Sequence, residues 1–173
     1  MKTIDTYINE KLNISTKYTC KPKYKDELRN IIEERLKENK DASLNDIDVS
    51  NITNMSCLFD ELDPHNIDIS EWDVSNVTNM WAMFYDCKNF NCDLSNWDVS
   101  NVESLNNTFS NCQKFNSDLS NWDVSNVKYM YGTFYRCTNF NCDLSDWDVS
   151  KVKDMNGMFK GCTSLKNKPD WYE

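Results

Sequence analysis

Two sets of aspartates recur along this 173-residue chain at one fixed interval: Asp48, Asp73, Asp98, Asp123 and Asp148 in one phase, Asp68, Asp93, Asp118 and Asp143 in another. Stacked as ladders, carboxylates about 5 Å apart repel unless local donors hold them or cations bridge them. Calcium is the hard cation that could bridge them. The favoured expectation is plainer: each aspartate accepts backbone N–H bonds within its own turn. Eight cysteines raise thiol, disulfide and zinc chemistry in turn. Cys87, Cys112, Cys137 and Cys162 share one phase, where Leu62 stands in the first copy, and a site that accepts Leu or Cys is small, buried and apolar. Cys92 and Cys142 lie two periods apart, roughly 10 Å at ordinary strand spacing, which is beyond disulfide reach. Neighbours in the first column stand within bridging distance, so a disulfide is open there, and reduced, packed thiols are the favoured expectation. Zinc lacks a C-x-x-C pair, and the only histidine, His65, falls in the phase of Phe90, Phe115 and Phe140. No serine has a His–Asp partner, and no base, nucleophile and oxyanion donors can be assembled. The expectation is a protein that is not an enzyme, with no catalytic residue, no metal site and no cofactor.

The interval itself is the organising fact. Five copies of D-V-S-N-V-x-x-M-x-x-x-F-x-x-C-x-x-F-x-x-D-L-S-x-W run from Asp48 to Lys168, each starting 25 residues after the last. The apolar columns hold: Val49, Val74, Val99, Val124 and Val149, then Met55, Met80, Leu105, Met130 and Met155, then an unbroken phenylalanine column from Phe59 to Phe159. Trp72, Trp97, Trp122 and Trp147 close four copies. A fixed period of this length predicts a solenoid, one supersecondary unit per turn. Residues 90–97 alternate like a short strand, 79–84 place Met80, Met83 and Phe84 at helical spacing, and Asp-Val-Ser-Asn forms the turn between them. The expected fold class is thus an α/β repeat solenoid, a leucine-rich-repeat-like stack of five 25-residue turns with one parallel sheet, capped by an N-terminal helix. Only three glycines are present, which argues against a glycine-rich calcium-binding β-roll.

Three segments follow. Residues 1–43 form a helical N-terminal cap, with a periodic stretch at Ile4, Tyr7, Ile8 and Leu12 and a stronger helix over 25–39, whose Leu28, Ile31, Ile32 and Leu36 share one face. Residues 44–168 form the solenoid. Residues 169–173 form a C-terminal cap, because Pro169 has no N–H to donate to a sheet edge.

Charge limits the partners. The net charge is −9, but residues up to Asp41 carry ten basic against eight acidic side chains, so the repeat body carries nine against twenty. That surface repels nucleic acid and favours basic partners. No stretch approaches a membrane span and no apolar export signal opens the chain, which predicts a cytoplasmic protein.

Trp-Asp-Val-Ser-Asn-Val-Thr-Asn-Met at 72–80, with Met83-Phe84, Cys87 and Phe90-Asn91-Cys92-Asp93-Leu94-Ser95 behind it, resembles the BspA-type leucine-rich-repeat surface proteins and the related mycoplasma-type lipoprotein repeats. The likeness covers residues 44 to about 168. It implies binding and adhesion, brings no catalytic residues, and taken alone implies a cell-surface location. The leader ending Leu44-Asn45-Asp46-Ile47-Asp48 resembles those of compact, unexported members.

Function is expected in the columns that vary. Ser56, Trp81, Asn106, Tyr131 and Asn156 share one position; Asp60, Tyr85, Ser110, Tyr135 and Lys160 share another. Trp81, Tyr85, Tyr131 and Tyr135 are the candidate binding anchors, since aromatics contribute large contact area at little entropic cost. Lys128 and Arg136 join them at a basic end completed by Lys151, Lys153, Lys160, Lys166 and Lys168. The expected function is a non-enzymatic protein-binding repeat module, with a protein partner, no nucleic acid, no membrane, and head-to-tail self-association open to it. Two alternatives stand beside it: a small cytosolic or mobile-element-encoded effector whose acidic face blocks a basic site on a host protein, and a carbohydrate-binding or adhesion surface.

Overall fold

A computed structural model describes residues 18–172. The stretch containing Ile4, Tyr7, Ile8 and Leu12, part of the 1–43 cap, lies outside the described residues, as does Glu173. Helix α1 spans Lys25–Glu38. Asp26 and Glu27 sit in its first turn and Arg35 and Lys37 in its last, each sign where the helix dipole favours it. The Glu27 carboxylate accepts the N–H of Lys23 at 2.8 Å and so fixes the entry to the helix. Leu28, Ile32 and Leu36 form the fully buried stripe, while Ile31 is half-buried beside it.

The expected α/β solenoid with one parallel sheet does not form. Among the described residues α1 is the only helix and no strand forms: parallel pairing is confined to isolated bridges, Cys20 with Ile47, Ser43 with Asp68, and the series Asn54, Asn79, Ser104, Tyr129 and Asp154. The stretch 90–97 fails as a strand because side chains take its backbone partners. The N–H of Ile69 donates to Cys92 Sγ at 3.5 Å, that of Leu94 to Ser117 Oγ at 2.9 Å, and that of Leu119 to Cys142 Sγ at 3.2 Å. The carbonyls of Leu44, Ile69, Leu94 and Leu119 accept the indole N–H groups of Trp72, Trp97, Trp122 and Trp147 at 2.9 to 3.1 Å. Both backbone groups are satisfied, so no continuous ladder is required.

The stretch 79–84 is not helical either. Ala82 and Asp86 adopt left-handed conformations, with φ of 53° and 59°, and interrupt any helix. The same two columns are left-handed in every copy, at Cys57, Asn107, Gly132 and Gly157 and at Glu61, Asn111, Arg136 and Gly161. The chain instead makes consecutive turns whose N–H groups alternate in direction. Those of Met83, Tyr85 and Cys87 bond back to Met80, Ala82 and Phe84 within the copy. Those of Met80, Ala82, Phe84 and Asp86 reach the carbonyls of Ser104, Asn106, Thr108 and Ser110 in the next copy, at 2.9 to 3.0 Å. The pattern repeats from the third copy to the fourth and from the fourth to the fifth.

Inside this frame the phenylalanines stack. Phe59, Phe84, Phe109, Phe134 and Phe159 form a column with ring centroids 5.1 to 5.8 Å apart. Phe90, Phe115 and Phe140 form a second column, meshed with the first at 4.1 to 4.2 Å. The core is therefore one continuous apolar seam from α1 to Trp171, held by area burial and aromatic contact. At the far end, residues 169–172 have no sheet edge to cap. A turn in which Tyr172 N–H bonds to Pro169 carries Trp171 onto Trp147, 6.4 Å away and 5° from parallel, with its indole on the Leu144 carbonyl.

Candidate interaction face

Left-handed residues at 82 and 86 swing alternate side chains outward: Met80, Met83 and Phe84 are buried, whereas Trp81 and Tyr85 are 47% and 44% exposed. In the fourth copy the same geometry exposes Tyr131 at 49% and leaves Tyr135 half-buried. The third copy carries Asn106 and Ser110 at these positions, and Ser110 is buried. Small residues between two aromatic copies leave a cleft of about 560 Å³ lined by Tyr85, Asn107, Ser110, Tyr131, Gly132, Tyr135, Asn156, Gly157 and Lys160. Gly132 relieves crowding there: a Cβ would lie 2.5 Å from Asn107 Oδ1, so a side chain at 132 needs that amide to move.

The cleft brings together Tyr85, Tyr131 and Tyr135. Trp81 shares the exposed column of Tyr131 but does not line the cleft. Arg136 lies beside it, its guanidinium 5.2 Å from the Tyr135 ring centre, a cation–π contact that holds the ring. Lys128 stands apart from the cleft, with Nζ 2.8 Å from the Glu103 carboxylate. One exposed aromatic of this side was not singled out by sequence, and Lys160 was named only in the variable column and the basic end. Tyr129 is 41% exposed in a column of Asn54, Asn79, Ser104 and Asp154, an aromatic among polar residues that the same criterion would have found. Lys160 contributes the cation that Lys128 does not.

The aspartate ladders are occupied by their own turns. Asp48, Asp73, Asp98, Asp123 and Asp148 each accept the N–H of the serine two residues on at 3.0 to 3.1 Å, and Asp68, Asp93, Asp118 and Asp143 do the same. Backbone donation from Ser95, Ser120 and Ser150 holds Asp93, Asp118 and Asp148 below the usual carboxylate range. The hydroxyls of Ser70, Ser125 and Ser145 lead the same effect on Asp68, Asp123 and Asp143. At Asp48 burial opposes ionisation, but Lys21 at 2.6 Å and Ser50 override it.

All eight cysteines are free thiols. Their main column does more than fill space. Cys87, Cys112, Cys137 and Cys162 donate through Sγ to the carbonyls of Phe59, Phe84, Phe109 and Phe134, one copy back, at 2.8 to 3.3 Å. Burial pushes the Cys112 and Cys137 thiols well above their ordinary range and raises Cys92, Cys142 and Cys162 to about 11. Thiols so placed are poor nucleophiles.

The fold and face define a protein of stacked 25-residue repeats with an aromatic-walled cleft on one side. The family described as Mycoplasma protein of unknown function, DUF285, matches residues 27–128 and again 95–172, and the chain belongs to that family. No curated protein and no solved structure matches it. Among the described residues no helix is long and apolar enough to cross a membrane.

Proposed function

We propose that the chain is a non-enzymatic protein-interaction module that presents the cleft and its aromatic rim to a protein partner. The observation that carries the reading is the exposure of Trp81, Tyr85, Tyr129 and Tyr131 in the second and fourth copies, while every phenylalanine of the column beneath them is buried. Large aromatics left in solvent beside small polar residues are the usual anchors of a binding surface. The likeness of 72–95 to BspA-type repeats supports recognition as the role. Thiols that donate to buried carbonyls, as Cys112 and Cys137 do, suit a reducing compartment and support the cytoplasm as the place.

The test replaces Trp81, Tyr85, Tyr131 and Tyr135 together with serine. The variant is expected to keep the wild-type circular dichroism spectrum and cooperative melt, and to lose the protein retained by the wild-type chain from a lysate of its native host. A partner held equally by both would contradict the reading. Retention that vanishes in 0.5 M salt yet is indifferent to the four substitutions would favour the acidic-face inhibitor instead.

A further inference from the structure

The turn ladder has two unlike ends. Each of the second, third and fourth copies gives four N–H groups to the copy after it; for the fourth these are Met130, Gly132, Phe134 and Arg136, bonded to Asp154, Asn156, Met158 and Lys160. In the fifth copy the equivalent donors are Met155, Gly157, Phe159 and Gly161, and among the described residues none has an acceptor. At the opposite end the equivalent acceptors are the carbonyls of Asn54, Ser56, Leu58 and Asp60 in the first copy, and α1 has taken the last three. Lys25 Nζ donates to the Ser56 carbonyl at 3.1 Å, and Arg29 donates to those of Leu58 at 3.3 Å and Asp60 at 2.9 Å. One end is closed at three of its four carbonyls, and the other presents a row of donors at the register used inside the molecule.

We propose that this open end binds a repeat copy supplied by another polypeptide, which adds its carbonyl row to Met155, Gly157, Phe159 and Gly161. Two independent features select that occupant. The first is charge: residues 148–172 carry five lysines against three aspartates, whereas an inner copy such as 98–122 carries three acidic residues against one lysine. The second is the aromatic column. The ring of Tyr172 sits 5.0 Å from that of Phe159, edge-on at 79°, in the place where a further phenylalanine would stack. Trp171 already continues the tryptophan column, so an incoming copy displaces Tyr172 and leaves Trp171 in position. Two intact chains are not complementary in this way, because three of the four carbonyls of each are covered by its own Arg29 and Lys25. The partner is therefore a repeat-bearing polypeptide with an uncapped first copy. This inference stands on the ladder ends and does not depend on the aromatic face.

The experiment adds a synthetic, reduced peptide of residues 98–122 to the full chain and follows amide exchange by NMR. The amides of Met155, Gly157, Phe159 and Gly161 are expected to exchange at least tenfold more slowly at saturating peptide, with those of Met130, Gly132, Phe134 and Arg136 unchanged. Tyr172→Ala should tighten binding several-fold, and Lys153→Glu with Lys160→Glu should weaken it by a similar factor. A scrambled peptide of the same composition that binds equally well overturns the proposal. So does the absence of saturable binding to both wild type and Tyr172→Ala, or protection confined to other amides.

Discussion

The guanidinium of Arg29 donates to the main-chain carbonyl of Asp60 at 2.9 Å, doing for the first copy what the backbone N–H of Asp86 does for Ser110 in the third. A side chain on α1 thus replaces a missing backbone row. Arg29 also reaches the carbonyls of Cys57 and Leu58 and is itself steadied by Glu33 at 2.9 Å. Because hydrogen bonds to a charged donor contribute more than neutral ones and several are lost together, Arg29→Ala should cost about 2 kcal/mol in urea denaturation. Arg29→Lys should recover only part of this, since an ammonium cannot span three carbonyls in a fork.

The indole of Trp97 tests the reason no strand forms. Trp97→Phe keeps most of the buried area but removes the second donor from the Ile69 carbonyl, leaving only the backbone N–H of Trp72 on it. A loss of roughly 1 kcal/mol is expected, against about 4 kcal/mol for Trp97→Ala, which also removes contacts to Trp72 and Phe84. Equal losses for the two would show that the indole bond contributes nothing.

Much of this plan is legible in the columns. Apolar positions at the 25-residue period are the buried ones, and the aromatic changes at Trp81, Tyr85 and Tyr131 are exposed. What the columns do not reveal is backbone conformation. Alternation in Phe90-Asn91-Cys92-Asp93-Leu94 reads as a strand, yet a sulfur or hydroxyl at 92, 117 and 142 accepts the N–H that a strand would give to a neighbour. Met80, Met83 and Phe84 have helical spacing, yet the next copy supplies carbonyls that reward left-handed turns at 82 and 86. Long-range partners decide both cases, and local periodicity is blind to them. Trp171 escaped notice for a simpler reason: the period points to Tyr172, and the chain is one residue short there. Lys128 reads as a free cation in the sequence, but its ion pair with Glu103 forms only across stacked copies.

Gly132 and Asn107 form a second testable pair. Gly132→Ala should destabilise by about 2 kcal/mol, because a Cβ meets Asn107 Oδ1, and Asn107→Gly should relieve most of that cost. Ala82 occupies the same column with φ of 53°, so the backbone conformation alone is tolerable to alanine. Additive losses in the double-mutant cycle would place the strain elsewhere.

The titrating groups predict a stability plateau with losses on both sides. The lowered aspartates bind protons less readily when folded, so their contribution is complete above their ordinary value of 3.8 and is lost as pH falls below that and through the lowered values of the folded state. The thiols run the other way. Those of Cys92, Cys142 and Cys162, raised from 9.0 to about 11, keep their full contribution below pH 9 and lose it as pH climbs toward 11. Thermal melts between pH 2 and 11 should show both flanks, and replacing Cys92 and Cys142 with serine, the residue at 117, should soften the alkaline one.

Successive copies are joined by alternating turn hydrogen bonds and not by a sheet. Scalar couplings across hydrogen bonds, measured in the deuterated protein by long-range HNCO, report it donor by donor. Correlations are expected from the amides of Met80, Ala82, Phe84 and Asp86 to the carbonyls of Ser104, Asn106, Thr108 and Ser110, with none from the Leu94 amide to any backbone carbonyl. A Leu94 amide coupled to a carbonyl of the neighbouring copy, or absence of the four turn correlations, would contradict it.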